Sequence, residues 1–244
     1  MVYILIPVFN EEENIPALAE NLLTFFNVSN LNAHFIFVDD FSTDNTINSI
    51  KSFFKESNYT VIEKSSNIGP GDSFNRGFNW IIENAKKEDR DNDIVITMEA
   101  DNTCDLNILP IMISLAQQKI DLVLASVYAQ GGGFEKTGFI RVVLSFCANL
   151  FFRSFFNLKI LTLPSFYRVY RLELICKIKE NNKEIIHEKG FISMLEILIK
   201  SIKLDATVIE VPMRLKSLNR KGKSKMKLMK TTLSYIRFLF KSEK

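Results

Sequence analysis

The chain has 244 residues, 47% of them apolar and 24% charged, so it can bury a core and is too apolar to be disordered. Cys104, Cys147 and Cys176 are an odd set with no CxxC pair, which fits reduced thiols of a cytoplasmic protein rather than a disulfide scaffold. The net charge of +3 hides an asymmetry: Arg214 to Lys244 holds eleven of the 31 bases and one of the 28 acids. A basic tail on an acidic body suggests an anionic partner, or equally a solvated charged helix.

The chain opens on an apolar run, VYILI, and its acidic continuation NEEE has no basic leader, so no signal peptide is expected. A helix follows over NIPALAENLLTFF, where Ile15, Leu18 and Leu22 share a face. HFIFV reads as a strand ending in Asp39-Asp40, followed by STDNT and a helix over INSIKSFFK. TVIE is a short strand; SSNIGPG is a glycine turn before the helix DSFNRGFNWIIENA. After the charged loop KKEDRDND come the strand IVITM, a helix around LNILPIMISLAQQ and the strand DLVLAS. Past Ser126 stand the loop YAQGGGF, a Phe-rich stretch from Phe139 to Phe156, TLPSFYRVYR, a helix GFISMLEILIKSI, a strand TVIEVPMRL and the basic tail. The longest uncharged run of the Phe-rich region, Val142 to Phe152, is well short of the roughly 20 residues that span a bilayer.

This alternation predicts an α/β fold with a mostly parallel central sheet and helices on both faces. Ligands of such sheets bind at the carboxyl ends of strands, where both Asp39-Asp40 and Glu99-Ala100-Asp101 fall. In extended backbone, Glu99 and Asp101 point the same way and can share one hard cation such as Mg²⁺ or Mn²⁺. Two solvated turn acids would look the same. Asp40 suits a hydrogen bond from a base or ribose, or simple helix capping. The glycines of Asn67 to Gly71 permit close backbone approach before a helix N-terminus.

The motifs IPVFNEEENI, VDDFSTDNT, NIGPGDSFNRGF, MEADNT, SVYAQGG, SFYRVYR and RKGKSK occur in the order seen in family-2 glycosyltransferases. The chain most resembles their dolichol- or polyprenyl-phosphate mannosyltransferase branch, over Val2 to about Lys225. The resemblance implies a GT-A fold and an inverting, Mg²⁺- or Mn²⁺-dependent transfer from a nucleotide sugar, with GDP-mannose the first candidate. It implies that Pro7, Phe9, Glu11 and Asp40 line the nucleoside pocket, with Gly71 also at the nucleotide. Asp101 would hold the metal with Glu99 and Thr103. Arg141 and Arg168 would face phosphates as catalytic residues, and Arg220 to Lys225 would close over the nucleotide. The transferase domain would span 1–213, followed by a basic amphipathic segment at 214–244.

Departures from that branch are Glu99 for its usual Asp, Thr103 for Gln, Val127 for Arg, and Thr162 where an Asp begins the motif ending in Arg168. They put the sugar and the acceptor in question rather than the fold. A polyprenyl-phosphate acceptor is already ionised near neutral pH and needs no strong base. A glycan hydroxyl would need one, for which Glu188 is the candidate, and a scaffold that binds nucleotide sugars without turnover is the third reading. The Phe-rich stretch is either a core helix buried all round or, with the basic tail, an interfacial element on the anionic inner membrane face. The tail lacks the interleaved aromatics of a base-stacking platform, so no nucleic-acid partner is expected.

Overall fold

The computed structural model of the chain describes residues 1–136, 139–163, 165–222 and 238, with the backbone alone at Phe139, Ile140, Arg141, Leu144 and Ala148. Its strands, numbered in chain order, are β1 (Val2–Val8), β2 (Ala33–Asp39), β3 (Tyr59–Glu63), β4 (Ile94–Thr97), β5 (Leu122–Ser126), β6 (Gly133–Glu135), β7 (Arg168–Arg171), β8 (Val208–Pro212) and β9 (Arg214–Lys216). The helices are α1 (Ile15–Ser29), α2 (Thr46–Phe53), α3 (Pro70–Asn84), α4 (Leu109–Gln117), α5 (Phe139–Phe155), α6 (Leu172–Asn181) and α7 (Ser193–Lys203).

Seven strands form one sheet in the order β3-β2-β1-β4-β7-β5-β8. All neighbours are parallel except β7, which runs antiparallel between β4 and β5. The strand alternation sorts the core into two layers. Val2, Ile4, Ile6 and Val8 of β1, with Phe35 and Phe37 of β2, pack against α1, α2 and α4. Tyr3, Leu5, Ile36 and Val38 face α3, α6 and α7 on the other side. Because both faces are covered, the central strands read as unbroken apolar runs.

Helix α1 shows the local logic. Ile15, Leu18, Ala19, Leu22 and Phe26 form its buried stripe, and Asn30 ends it in the left-handed region at φ 52°. Leu22 is fully buried, so Leu22→Ala would remove roughly 2–5 kcal/mol.

The fold differs from the sequence reading in three places. RVYR, given no element from sequence, is an antiparallel strand, LELICKIKEN is helix α6, and Gly133–Glu135 pairs with β9 as a small parallel sheet. That pairing also ties Arg214–Lys216 to the body, so the chain after Met213 does not begin as an appendage. The Phe-rich helix α5 is not buried all round. Asn149 and Phe152 face inward, whereas Val143, Phe146, Leu150, Phe151 and Phe155 are exposed at helical spacing. No helix among the described residues is long and apolar enough to cross a membrane.

Candidate active site

The strands β2, β1 and β4 are neighbours, and the loops after them meet at one sheet edge, where the strand order reverses between β1 and β4. Hydrogen bonds stitch the three loops into a single rim. The Ser42 amide donates to Asp39 Oδ2 (3.0 Å), the Asn10 amide to Ser42 Oγ (2.9 Å) and the Thr43 amide to Asn10 Oδ1 (2.7 Å). From β1 the rim continues through Asn14, whose side-chain amide donates to Glu11 Oε2 at 2.6 Å. Asn102 Nδ2 donates to the Asn14 carbonyl at 3.0 Å and brings in the loop after β4. Asn10, Phe41 and Asn102, one in each loop, adopt positive φ of 52°, 68° and 61°. Left-handed backbone thus recurs at three adjacent strand ends.

Asp101 is 5% exposed at the end of β4. Its Oδ1 accepts hydrogen bonds from the Thr103 amide (3.1 Å) and hydroxyl (2.7 Å). Its Oδ2 accepts from Arg220, with Nε at 2.6 Å and the terminal nitrogen closer still. Thr103, expected as a ligand, donates its hydroxyl to Asp101 and so orients that carboxylate. Glu99 is half-buried one turn earlier. Burial and then the Glu99 charge push the Cys104 thiol far above its ordinary range, which places that carboxylate beside Cys104.

Among the described residues no cluster of three or more acidic, His or Cys side chains forms a closed metal cage. The donor set fits a hard divalent ion held more openly, by Asp101 and Glu99 together with a ligand's phosphates. In this structure Asp101 is paired with a cationic side chain, Arg220.

Asp40 and Asp39 divide the work differently from the sequence expectation. Asp40 Oδ1 accepts from the Ile68 amide (2.8 Å) and Oδ2 from the Gly69 amide (2.9 Å), while Lys64 pairs with Oδ1 at 2.7 Å. Lys64, fully buried, also pairs with Asp72 at 2.8 Å. Asp40 therefore anchors the loop before α3 and is not the open nucleoside acceptor. Asp39, 2% exposed, keeps a buried Oδ1 with no hydrogen-bond partner. A buried orphan acceptor costs on the order of 1–3 kcal/mol, so this oxygen is the unsatisfied one of the pair among the described residues.

Gly71 also changes role. A Cβ there would lie 1.9 Å from the Glu188 carbonyl oxygen, and the Gly71 amide donates to the Lys189 carbonyl at 2.8 Å. The close approach is to the chain's own backbone. Glu196 holds that loop by accepting from the His187 and Glu188 amides and from Lys200 at 2.7 Å. Burial opposes its charge, but these donors outweigh burial and keep its carboxyl below the ordinary range.

Arg168 is the clearest correction. It is fully buried and donates to the carbonyls of Ser165 (2.7 Å), Leu163 (2.7 Å) and Met194 (2.8 Å). A fourth donor goes to the Tyr170 hydroxyl at 3.3 Å, so the guanidinium ties the segment before β7 to α7 and to its own strand. Thr162 binds Ser126 at 2.6 Å, and the Glu210 carboxylate accepts from the Leu161 and Thr162 amides. Arg141 sits on α5, with its side chain outside the described residues. Pro7 lies in β1, and half-buried Phe9 and Glu11 line the loop after it.

The chain after β8 crosses this site. The Lys216 amide donates to the Thr103 carbonyl at 3.1 Å, and Lys216 Nζ pairs with Asp105 at 2.9 Å. Arg220 reaches Asp101, and the next residue, Lys221, is clasped by Asn14. Lys225 and the predicted amphipathic tail helix lie outside the described residues. Sequence reasoning missed Asn14, Asn102, Lys64 and the buried, unpartnered oxygen of Asp39. The only available signal was the position of Asn14 in NEEEN, just before the helix.

Comparison with known proteins follows the same lines. Among curated proteins, the polyprenol monophosphomannose synthase of Mycolicibacterium smegmatis is 26% identical over 86% of this chain and 75% of its own length. The dolichol-phosphate mannosyltransferase of Pyrococcus furiosus is 26% identical over 98% of this chain, which spans 63% of that protein. Among solved structures, glucosyl-3-phosphoglycerate synthase from Mycobacterium tuberculosis, in complex with Mn²⁺ and UDP-glucose, superposes with a TM-score of 0.64 at 14% identity. That match covers 92% of this chain and 72% of that one, and it establishes the GT-A type of fold. The sequence profile named "Glycosyl transferase family 2" matches residues 3–178. On a match of that extent, this chain belongs to glycosyl transferase family 2.

Proposed function

We propose that this protein transfers a hexose from a nucleoside-diphosphate sugar to a polyprenyl phosphate, with mannose from GDP-mannose as the first candidate. The observation that carries the reading is the hydrogen-bonded rim that joins Asp39 and Asp101 at one sheet edge. The names of the two curated mannosyltransferases support the acceptor class. Asp39 Oδ1 would take a donor from the nucleobase or ribose, and Phe9 and Glu11 would border the nucleoside. Asp101 and Glu99 would hold the divalent ion, which when bound supplies charge neutralisation at the diphosphate. Arg220 and Lys221 would add positive charge over the same phosphates.

In this reaction an acceptor phosphate oxygen attacks the anomeric carbon as the bond to the diphosphate oxygen breaks, and the electron pair leaves with the diphosphate. The acceptor is already ionised, so no side chain has to remove a proton. A hydroxyl acceptor on a glycan is the second reading. It is favoured only by Glu188, which stands on the loop packed against α3.

The apolar stripe of α5 and the basic tail support docking on an anionic membrane, where a lipid phosphate is found. The test is transfer from a panel of nucleotide sugars, with Mn²⁺, to undecaprenyl phosphate carried in anionic vesicles. Transfer of one sugar to the lipid supports the proposal, whereas transfer only to soluble glycans would replace it with the second reading. The combined variant Phe146→Ser, Phe151→Ser and Phe155→Ser should weaken vesicle co-sedimentation roughly a hundredfold, at about 1 kcal/mol for each half-immersed ring. Undiminished sedimentation would remove α5 from the membrane contact.

A further inference from the structure

We infer that Asn14 is a positioning residue that pins the segment before the tail over the site, while Arg220 serves as a removable cation on Asp101. The inference rests on the donor-site reading above and goes beyond it. Asn14 is 3% exposed at the start of α1, yet it grips a peptide unit 207 residues away. Its Oδ1 accepts from the Lys221 amide at 2.9 Å and its Nδ2 donates to the Lys221 carbonyl at 3.1 Å. The same side chain reaches Glu11, and its carbonyl holds Asn102 next to Asp101.

The two attachments differ in kind. The Asn14 clasp is neutral, made of amide and carbonyl groups whose strength hardly depends on nearby charge. The Arg220 pair is ionic and uses Asp101 Oδ2, one of the oxygens a divalent ion would need. A cation arriving at Asp101 therefore competes with Arg220 but not with Asn14. Release of Arg220 from Asp101 requires a side-chain rotation only, because the neighbouring peptide stays pinned. The guanidinium is then set free within reach of the phosphates that arrive with the ion. Thr103 holds the other oxygen, Oδ1, so the carboxylate itself need not turn.

Variants at three positions and three measurements test this. Mn²⁺ binding to the protein alone is followed by loss of the free-ion EPR signal. Arg220→Gln removes the competing charge and is expected to bind Mn²⁺ about tenfold more tightly, the weight of one charge-assisted hydrogen bond. Asn14→Ala is expected to tighten Mn²⁺ binding by a smaller factor and to raise the donor KM about tenfold with kcat nearly unchanged. Because Asn14 is buried, Lys221→Pro supplies the check: it deletes the same amide donor from an exposed residue. Arg220 at φ −68° and ψ 125° already has the backbone that a following proline requires. Measured against Lys221→Ala, which loses the same charge but keeps the amide, Lys221→Pro should reproduce the Asn14→Ala change.

Hydrogen exchange across 217–222 in the wild type, with Mn²⁺ and a nucleoside diphosphate added, should retain protection at the Lys221 amide. Mn²⁺ affinity unaltered by Arg220→Gln, a wild-type KM in both clasp variants, or loss of Lys221 protection on ligand addition would each overturn the inference. The Mn²⁺ titration needs no sugar donor. A wild type that binds no nucleotide sugar would sink the functional reading while leaving the ion competition standing.

Discussion

Asp101→Asn is expected to lower sugar transfer by about two to three orders of magnitude, the loss typical of removing one group that stabilises a developing charge. The substitution preserves side-chain volume, and a carboxamide oxygen can still accept from Thr103, so the loop after β4 keeps its shape. It removes the negative charge that faces Arg220, and with it the principal ligand proposed for the divalent ion. The pair it breaks is largely buried, its side chains 23% and 7% exposed, so some stability is lost too and turnover is normalised to folded protein. Wild-type transfer should likewise stop on chelation with EDTA and return with Mn²⁺, whereas the variant should not respond. A variant keeping more than about a tenth of wild-type turnover would remove Asp101 from the reaction.

The residues that made this site legible are those whose positions follow from strand chemistry. Apolar runs ending in Asp39-Asp40 and Glu99-Ala100-Asp101 gave the strands, and acid at the carboxyl end of parallel strands gave the site edge. Which acid keeps an unpartnered oxygen was not legible. Asp39 and Asp40 differ by one residue, and strand alternation turns them to opposite sides. Asp40 meets the Ile68 and Gly69 amides and Lys64, partners 24 to 29 residues away that no local pattern announces.

Strand β7 was missed because RVYR carries arginine at both ends, which reads as surface. Its flanking charges are instead consumed inside the fold, Arg171 by Asp121 and Glu173 and Arg168 by carbonyls. Asn14 looked like an ordinary residue before a helix. Its role lies in a contact with Lys221 that only tertiary folding creates.

Arg168→Met is the experiment that separates the family expectation from the structure. A phosphate-facing arginine, once replaced, leaves a folded enzyme with poor turnover. A buried arginine that satisfies three carbonyls leaves an unstable protein whose folded fraction works. The geometry predicts the second outcome. Methionine fills much of the volume, but the carbonyls of Leu163, Ser165 and Met194 lose their donors where water does not reach. Leaving buried carbonyls without a donor costs on the order of 1–3 kcal/mol each, together roughly 10 °C in Tm for a chain of this size. Donor KM and kcat, normalised to folded protein at low temperature, should stay within a few-fold of wild type. Wild-type stability combined with a loss of turnover would return Arg168 to the phosphates. It would also mean that the segment from Leu163 to Arg168 rearranges when substrate binds, because in the present arrangement the guanidinium has no path to the site that does not first strip those carbonyls.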